Sequence, residues 1–369
     1  MTRLICLWRA APRRWSVLLL LLAAEMTYRL TRDNTALMDS WAQWVAMPVK
    51  RTLTQITGVL PFSLAECLLI LCVVGGAALL GRWLWLAVKQ RWGRLGQEAL
   101  SLLCVAAAAY VTGNLLWGTA YYGSSFGAKT GLNPQPITVE QLAEVTAYFG
   151  RQASEACRQV PRDAEGHFAG EKADILAAAP GSYQAVEEEF PFLRGPEAPV
   201  KRVWFSKFMS RVDLTGFYCV YTGEANLNCH SPAVMLPSTI CHEIAHQRGV
   251  APEQEANFAA VLAATRSQDP MYVYSGWLLG YIHLNNALYE ADPDRWEEIY
   301  TSLDPLVRLD LEDNNAYWRQ FDTPLSELGE KVNDAMLKSN GQTLGVQSYG
   351  AVVDLLAAYY QQQWKGSTE

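Results

Sequence analysis

The stretch Ser238-Thr-Ile-Cys-His-Glu-Ile-Ala-His-Gln-Arg-Gly249 carries two histidines four residues apart, with a glutamate directly after the first. On an α-helix such histidines share a face about one turn apart, so both imidazoles can reach one zinc ion. Glu243 stands beside them, where a carboxylate can act on water. Ser238, after Pro237, is the expected N-cap of this helix and Gly249 the expected residue just past its end. Burying His242, Glu243 and His246 unpaired would be costly, which argues for a site over plain core packing.

A catalytic zinc takes three protein ligands and keeps one position open. The next helix is expected to begin at Pro252, a residue suited to a first helical position, and it presents Glu253, Glu255 and Asn257. Glu253 and Asn257 lie on one face, so Glu253 is favoured as third ligand, with Asn257 hydrogen-bonding a ligand from behind. Glu255 is the alternative third ligand, because sequence does not fix the register of two helices joined by Gly249-Val-Ala251. Cys241 adjoins His242 on the helix and should point elsewhere, and His230 reads as a loop residue.

Outward from the motif, Thr138 and Gln141 form a capping box for a helix through about Val160, stapled by Ile137 and Leu142. Val200 to Ser206, Gly216 to Tyr221 and Ala225 to Cys229 read as short strands around a Thr-Gly-Glu turn. Helical patterns recur over 238–247, 252–266, 273–289 and 349–363. The 273–289 stretch is nearly long enough to cross a membrane, but Ser275, His283, Asn285 and Asn286 make it a buried core helix.

Half of the 369 residues are hydrophobic and only 18% are charged, with a formal net charge of -7. That balance excludes a disordered chain, and without a basic run it excludes a nucleic-acid partner. From Ala99 to Ala128 there is no Asp, Glu, Lys or Arg, which predicts a transmembrane helix. Leu64 to Val88 predicts a second, with Glu66 and Arg82 near its ends. Trp15 to about Leu30 predicts a first span shortened by Glu25, or else a cleaved signal peptide.

The expected organisation is therefore a membrane anchor over 1–122, with spans at about 15–31, 64–88 and 99–120, and a globular domain over 123–369. Arg3, Arg9, Arg13 and Arg14 before the first stretch, and Lys89, Arg91 and Arg94 before the third, put both segments in the cytoplasm. The globular domain then lies outside, with a lipid bilayer as partner of the anchor. Of the cysteines on that side, Cys219 and Cys229 flank a candidate hairpin and could be bridged across it.

His-Glu-Ile-Ala-His followed by Glu-x-x-Ala-Asn resembles the gluzincin type of zinc metallopeptidase, including membrane-anchored peptidases of the CAAX-prenyl and HtpX type. Asn257 stands where Asp is commoner there, and the glutamate follows the second histidine sooner. PFSLAE at 61–66, TGEANLN at 222–228, EQEANF at 253–258 and GVQSYGAVVDLL at 345–356 look like an uncharacterised family of bacterial membrane proteins with no assigned substrate. The implied fold is mainly α, with N-terminal transmembrane helices followed by an α+β zincin-like domain carrying a small sheet.

The implied activity is zinc-dependent hydrolysis of a peptide or protein substrate at the outer face of the bacterial cytoplasmic membrane. Glu243 would be its general base, and His242, His246 and Glu253 would hold the metal. Zincins also pair substrate with an edge strand, for which Ala225, Asn226 and Asn228 are the candidates. Tyr281, His283, Tyr289 and Tyr349 are available as stabilisers of the developing oxyanion. The alternative is a catalytically inactive, zincin-like membrane sensor or scaffold with a structural metal site.

Overall fold

A computed structural model describes residues 11–339 and 352–366, which form two compact units. The chain is mainly helical with one small sheet.

The first unit comprises Met1–Val49 and Leu64–Gly123. Its long helices are α1 (Pro12–Thr31), α2 (Leu64–Val88) and α3 (Trp92–Leu116). Among the described residues, α2 and the stretch Trp92–Tyr121 are the two helical segments long and apolar enough to cross a membrane. The first expected span does form a helix, but Arg13, Arg14, Glu25 and Arg29 interrupt its apolar run. Glu25 is partnered rather than exposed to an apolar surround: Arg29 pairs with it at 2.7 Å, and Asn114 on α3 donates to it at 2.9 Å. The fork of Arg82 onto Glu98 at 2.9 Å likewise ties α2 to α3.

The second unit comprises Lys50–Ser63 and Ser124–Glu369. The expected boundary near 122 thus misses Lys50–Ser63, whose polar side chains are spent on the sheet. Thr54 donates to Gly223 O at 2.8 Å and Thr57 to Thr222 O at 3.0 Å. Ser63 donates to Asn226 at 2.6 Å, and Lys201 returns a bond to Thr57 O at 3.0 Å. These groups are buried, so the hydrogen bonds offset a desolvation cost that an unpaired segment would carry in full.

Helix α4 (Val139–Ala156) opens with the expected capping box between Thr138 and Gln141. Its apolar face, with Val145, Phe149 and Ala153 fully buried, packs on the long core helix α5 (Pro270–Ala291). The sheet has the order β1 (Lys201–Arg202), β3 (Glu224–Leu227), β2 (Gly216–Cys219), with β1 parallel and β2 antiparallel to the central strand. The core helix α5 (Pro270–Ala291) buries Tyr272, Tyr274, Leu278, Tyr281, Leu284 and Leu288. Gly280 lets it approach α4, since a Cβ there would sit 2.2 Å from the Phe149 ring. Its Ser275 is fully buried and satisfied, accepting from Ser238 N at 3.1 Å and donating to Ser238 Oγ at 3.0 Å.

The Cys219–Cys229 bridge does not form, and both thiols are free. The register places Cys219 opposite Glu224. Cys229 lies five residues further along, roughly 16 Å at a strand's rise and far outside disulfide reach.

One ion pair anchors the helices that surround the core. Arg162 forks onto Asp310 at 2.8 Å through both terminal nitrogens, and the Tyr274 hydroxyl donates to the same carboxylate. Asp310 is fully buried. Asp310→Ala should lower stability by about 3 to 5 kcal/mol, because Arg162 loses its counter-charge and the buried Tyr274 hydroxyl its acceptor. A chemical-denaturation midpoint equal to that of the parent chain would sink this assignment.

Candidate metal centre

The motif helix α6 (Leu236–Gln247) begins two residues before the expected cap. Pro237 occupies its first turn, and Ser238 instead spends its hydroxyl on Met235 O at 2.9 Å. The far end is closed as Gly249 requires. That residue has φ 95°, and the amides of Gly249 and Val250 return to His246 O and Ala245 O at 3.1 and 3.0 Å. This left-handed closure reverses the chain within a few residues. Helix α7 (Glu253–Thr265) then starts at Glu253, with Pro252 as its N-cap rather than its first helical residue.

The reversal brings the ends of the two helices together. His242 Nε2 lies 3.2 Å and His246 Nε2 3.5 Å from the carboxylate of Glu253. One ligand atom from each of the three lies within 4.8 Å of the others. Burial by itself would raise the pKa of Glu253, but the imidazoles of His246 and His242 hold it well below the usual carboxylate range.

Both imidazoles are fixed from behind. His242 Nδ1 lies 2.8 Å from Asn257 Oδ1, and His246 Nδ1 lies 2.7 Å from Val250 O. Carbonyl oxygens only accept, so each Nδ1 carries a proton, and it is the Nε2 of each ring that faces the shared space, its lone pair available to a metal once its own proton leaves. Two imidazole nitrogens and a carboxylate, each imidazole oriented by a carbonyl, are the donor chemistry that suits zinc. Glu255 is not part of this group. It accepts the amide of Phe126 at 2.9 Å, and its burial raises its pKa.

Glu243 is a different kind of carboxylate. It is buried, its Oε2 has no hydrogen-bond partner, and burial pushes its pKa up to about 8. It faces β2 at Gly216, where a Cβ would sit 2.6 Å from Glu243 Oε1. A side chain at 216 would therefore occupy the space of the carboxyl group. An unpaired buried oxygen is expensive in a fold that satisfies most of its polar atoms, and functional sites are where such costs recur.

A cleft of about 1150 Å³ opens beside these residues, with His242, Asn257 and His283 among its walls. His283, on α5, has a buried Nε2 with no partner, and burial together with the nearby His242 pushes its pKa down to about 4. The other residues considered as oxyanion stabilisers are placed differently. Tyr281 is buried and donates to Asn285 at 2.9 Å, Tyr289 is exposed, and Tyr349 lies outside the described residues. His230 contacts the Tyr317 hydroxyl at 2.7 Å and stays apart from the cluster. Cys241 is buried, and its thiol is pushed up to about 12 by burial.

The expected edge strand is not an edge. Ala225 to Leu227 lie in β3, which is paired on both sides. Asn226 donates to Glu224 O at 3.0 Å, and Asn228 donates to Ser210 and to Leu214 O at 2.9 Å. Their side chains hold the loops around the sheet. The outer strand of the sheet next to the motif helix is β2. Asn228 N donates to Thr215 O and Val203 N to Leu227 O, so antiparallel alternation turns the N–H and C=O of Gly216 and Tyr218 away from β3.

Two positioning residues had no local sequence signal. Lys50 is buried and donates to His246 O at 3.0 Å at the end of α6, and burial pushes its pKa down to about 7. Gly216 matters only through what lies opposite it.

Comparison with protein-family models matches residues 43–357 to the family described as "Protein of unknown function (DUF3810)", and the chain belongs to that family. No curated protein and no solved structure matches it.

Zinc content of the full chain, purified in detergent without chelator, checks the donor set. His242→Ala, His246→Ala and Glu253→Ala should lose bound zinc, Glu255→Ala should retain it, and Asn257→Ala should weaken binding roughly 10- to 100-fold. Loss in Glu255→Ala alone would reassign the third ligand.

Proposed function

We propose that this family member is a membrane-anchored zinc metallopeptidase with a zincin-like domain outside the bacterial cytoplasmic membrane. The observation that carries the proposal is the unpartnered, buried carboxyl oxygen of Glu243 beside the His242, His246 and Glu253 cluster. When bound there, zinc would polarise the scissile carbonyl and lower the pKa of water. The remaining work falls to side chains of this chain.

Glu243 takes the proton of the attacking water and delivers it to the departing amine. The absence of a competing partner at its Oε2 leaves both tasks open to it. His283 is a wall residue of the same cleft with a partnerless Nε2, and in its neutral Nε2–H form it would serve as hydrogen-bond donor to the scissile oxygen as charge grows there. Asn257 and Val250 O hold the two imidazoles in one tautomer, and Lys50 fixes the end of the helix that carries them.

Three residues rather than four compose the donor cluster among the described residues. A structural zinc site is closed by a fourth protein ligand, so this count favours an enzyme over a scaffold. The basic residues before α2's partner helix α3 and at the N-terminus support a cytoplasmic placement of both, and with it an outer placement of the second unit.

Glu243→Gln should abolish peptide hydrolysis while zinc content stays at the parent level. His283→Ala should lower kcat by roughly 10² to 10³ with KM and zinc nearly unchanged, as for removal of an oxyanion donor. Hydrolysis retained by Glu243→Gln would overturn the assigned base.

A further inference from the structure

Two segments of the second unit expose apolar side chains that a fold normally turns inward. Val59 is 81% and Trp204 83% exposed, and Ile56, Phe62, Phe205 and Phe208 are between 42% and 63% exposed. Helix α8 (Ser206–Arg211) is inverted in this respect. It buries Ser206 and Ser210, which accept from Cys229 N at 3.0 Å and from Asn228 at 2.9 Å, while Phe208 stands outward with Lys207 and Arg211. Large exposed apolar surfaces of this kind mark places where a protein meets a partner or a membrane.

The two segments are tied together, and to the start of α2. Lys201 Nζ donates to Thr57 O at 3.0 Å and to Leu60 O at 2.5 Å, and a Cβ at Gly58 would lie 3.6 Å from Ala198 Cβ. Ser63 donates to Asn226, the cross-strand partner of Lys201. The residue after Ser63 is Leu64, the first of α2, which is long and apolar enough to cross a membrane. Trp204 follows Lys201 by three residues, a span of about 10 Å at most in extended chain.

Charge points the same way. The chain has a net charge of -7, yet residues 50–64 and 198–212 contain no Asp or Glu and hold six Lys or Arg between them. Arg51, Arg202, Lys207 and Arg211 are exposed. Aromatic rings interleaved with cations suit the headgroup boundary of a bilayer, where rings sink about 5–10 Å and cations meet phosphates.

We infer that this face, Val59 and Phe62 with Trp204, Phe205 and Phe208, is seated on the outer leaflet of the bilayer that α2 crosses. The inference rests on the membrane-anchored part of the reading above and adds a lipid contact made by the second unit itself. The occupant is lipid rather than another protein, because the covalent link from Ser63 to Leu64 keeps the face near the headgroups whether or not a partner is present. Helix α8 runs on into Val212, Leu214 and Thr215 of the cleft wall, so this seating sets that wall beside the lipid surface.

The test is photochemical capture by the full-length chain in nanodiscs containing phosphatidylglycerol. Benzoylphenylalanine is placed in turn at Val59, Trp204, Leu71 and Tyr289, all exposed positions, and adducts are identified by mass after irradiation. Leu71 reports the α2 span, and Tyr289 is an exposed ring elsewhere on the second unit. Lipid adducts are expected at 59, 204 and 71 and none at 289. Capture at 71 without capture at 59 and 204 would overturn the inference and leave the anchor standing. Capture of another polypeptide chain at 204, or equal lipid capture at 289, would overturn it as well. No lipid at 71 would remove the membrane-anchored reading and this inference with it.

Discussion

The facing of two imidazoles onto one carboxylate sets the terms for the rest of the second unit. His242 and His246 sit on the last turns of one helix and Glu253 on the first residue of the next, so their meeting depends on a chain reversal between residues 248 and 252. Gly249, with its positive φ, permits that reversal, and the amide of Val250 closes it. The carbonyl of Val250 then orients His246, so the turn that joins the helices also sets that imidazole's tautomer.

Around this turn the fold spends buried hydrogen bonds on position. Lys50 caps the end of the motif helix, Gln247 reaches the hairpin turn at Gly223 O, and Thr54 reaches the same carbonyl. The segment Lys50–Ser63 is thereby part of the unit that holds the site, although it precedes α2 in the chain. Glu243 and His283 stand apart from this economy, each with a buried polar atom left without a partner. Their cost is tolerated in a unit otherwise held by a well-packed aromatic and aliphatic core.

The helix–turn–helix around the motif was legible because its signals are local: a four-residue histidine spacing, a glycine past the end, a proline before the next start. The buried reading of 273–289 was legible for the same reason, since its polar residues exclude lipid, and here Ser275 is partnered by Ser238 and Asn285 by Tyr281. The edge strand and the disulfide were not. Both depend on strand order, and Ala225–Asn228 carries no mark of having β1 as a second neighbour. The same register that satisfies its backbone carries Cys219 and Cys229 to opposite ends of the hairpin.

The amino-acid sequence by itself determined the donor types, their helical spacing, the apolar character of α2 and α3, and the mainly helical class, because each is a property of neighbouring residues. The choice of Glu253 over Glu255 was decided only in three dimensions. The turn after Gly249 aims the first carboxylate at the histidines, and the amide of Phe126 engages the second. Gly216 against Glu243, Lys50 under His246 and His283 across the cleft were likewise decided there. Each joins residues far apart in the chain, and only packing sets the distance between them.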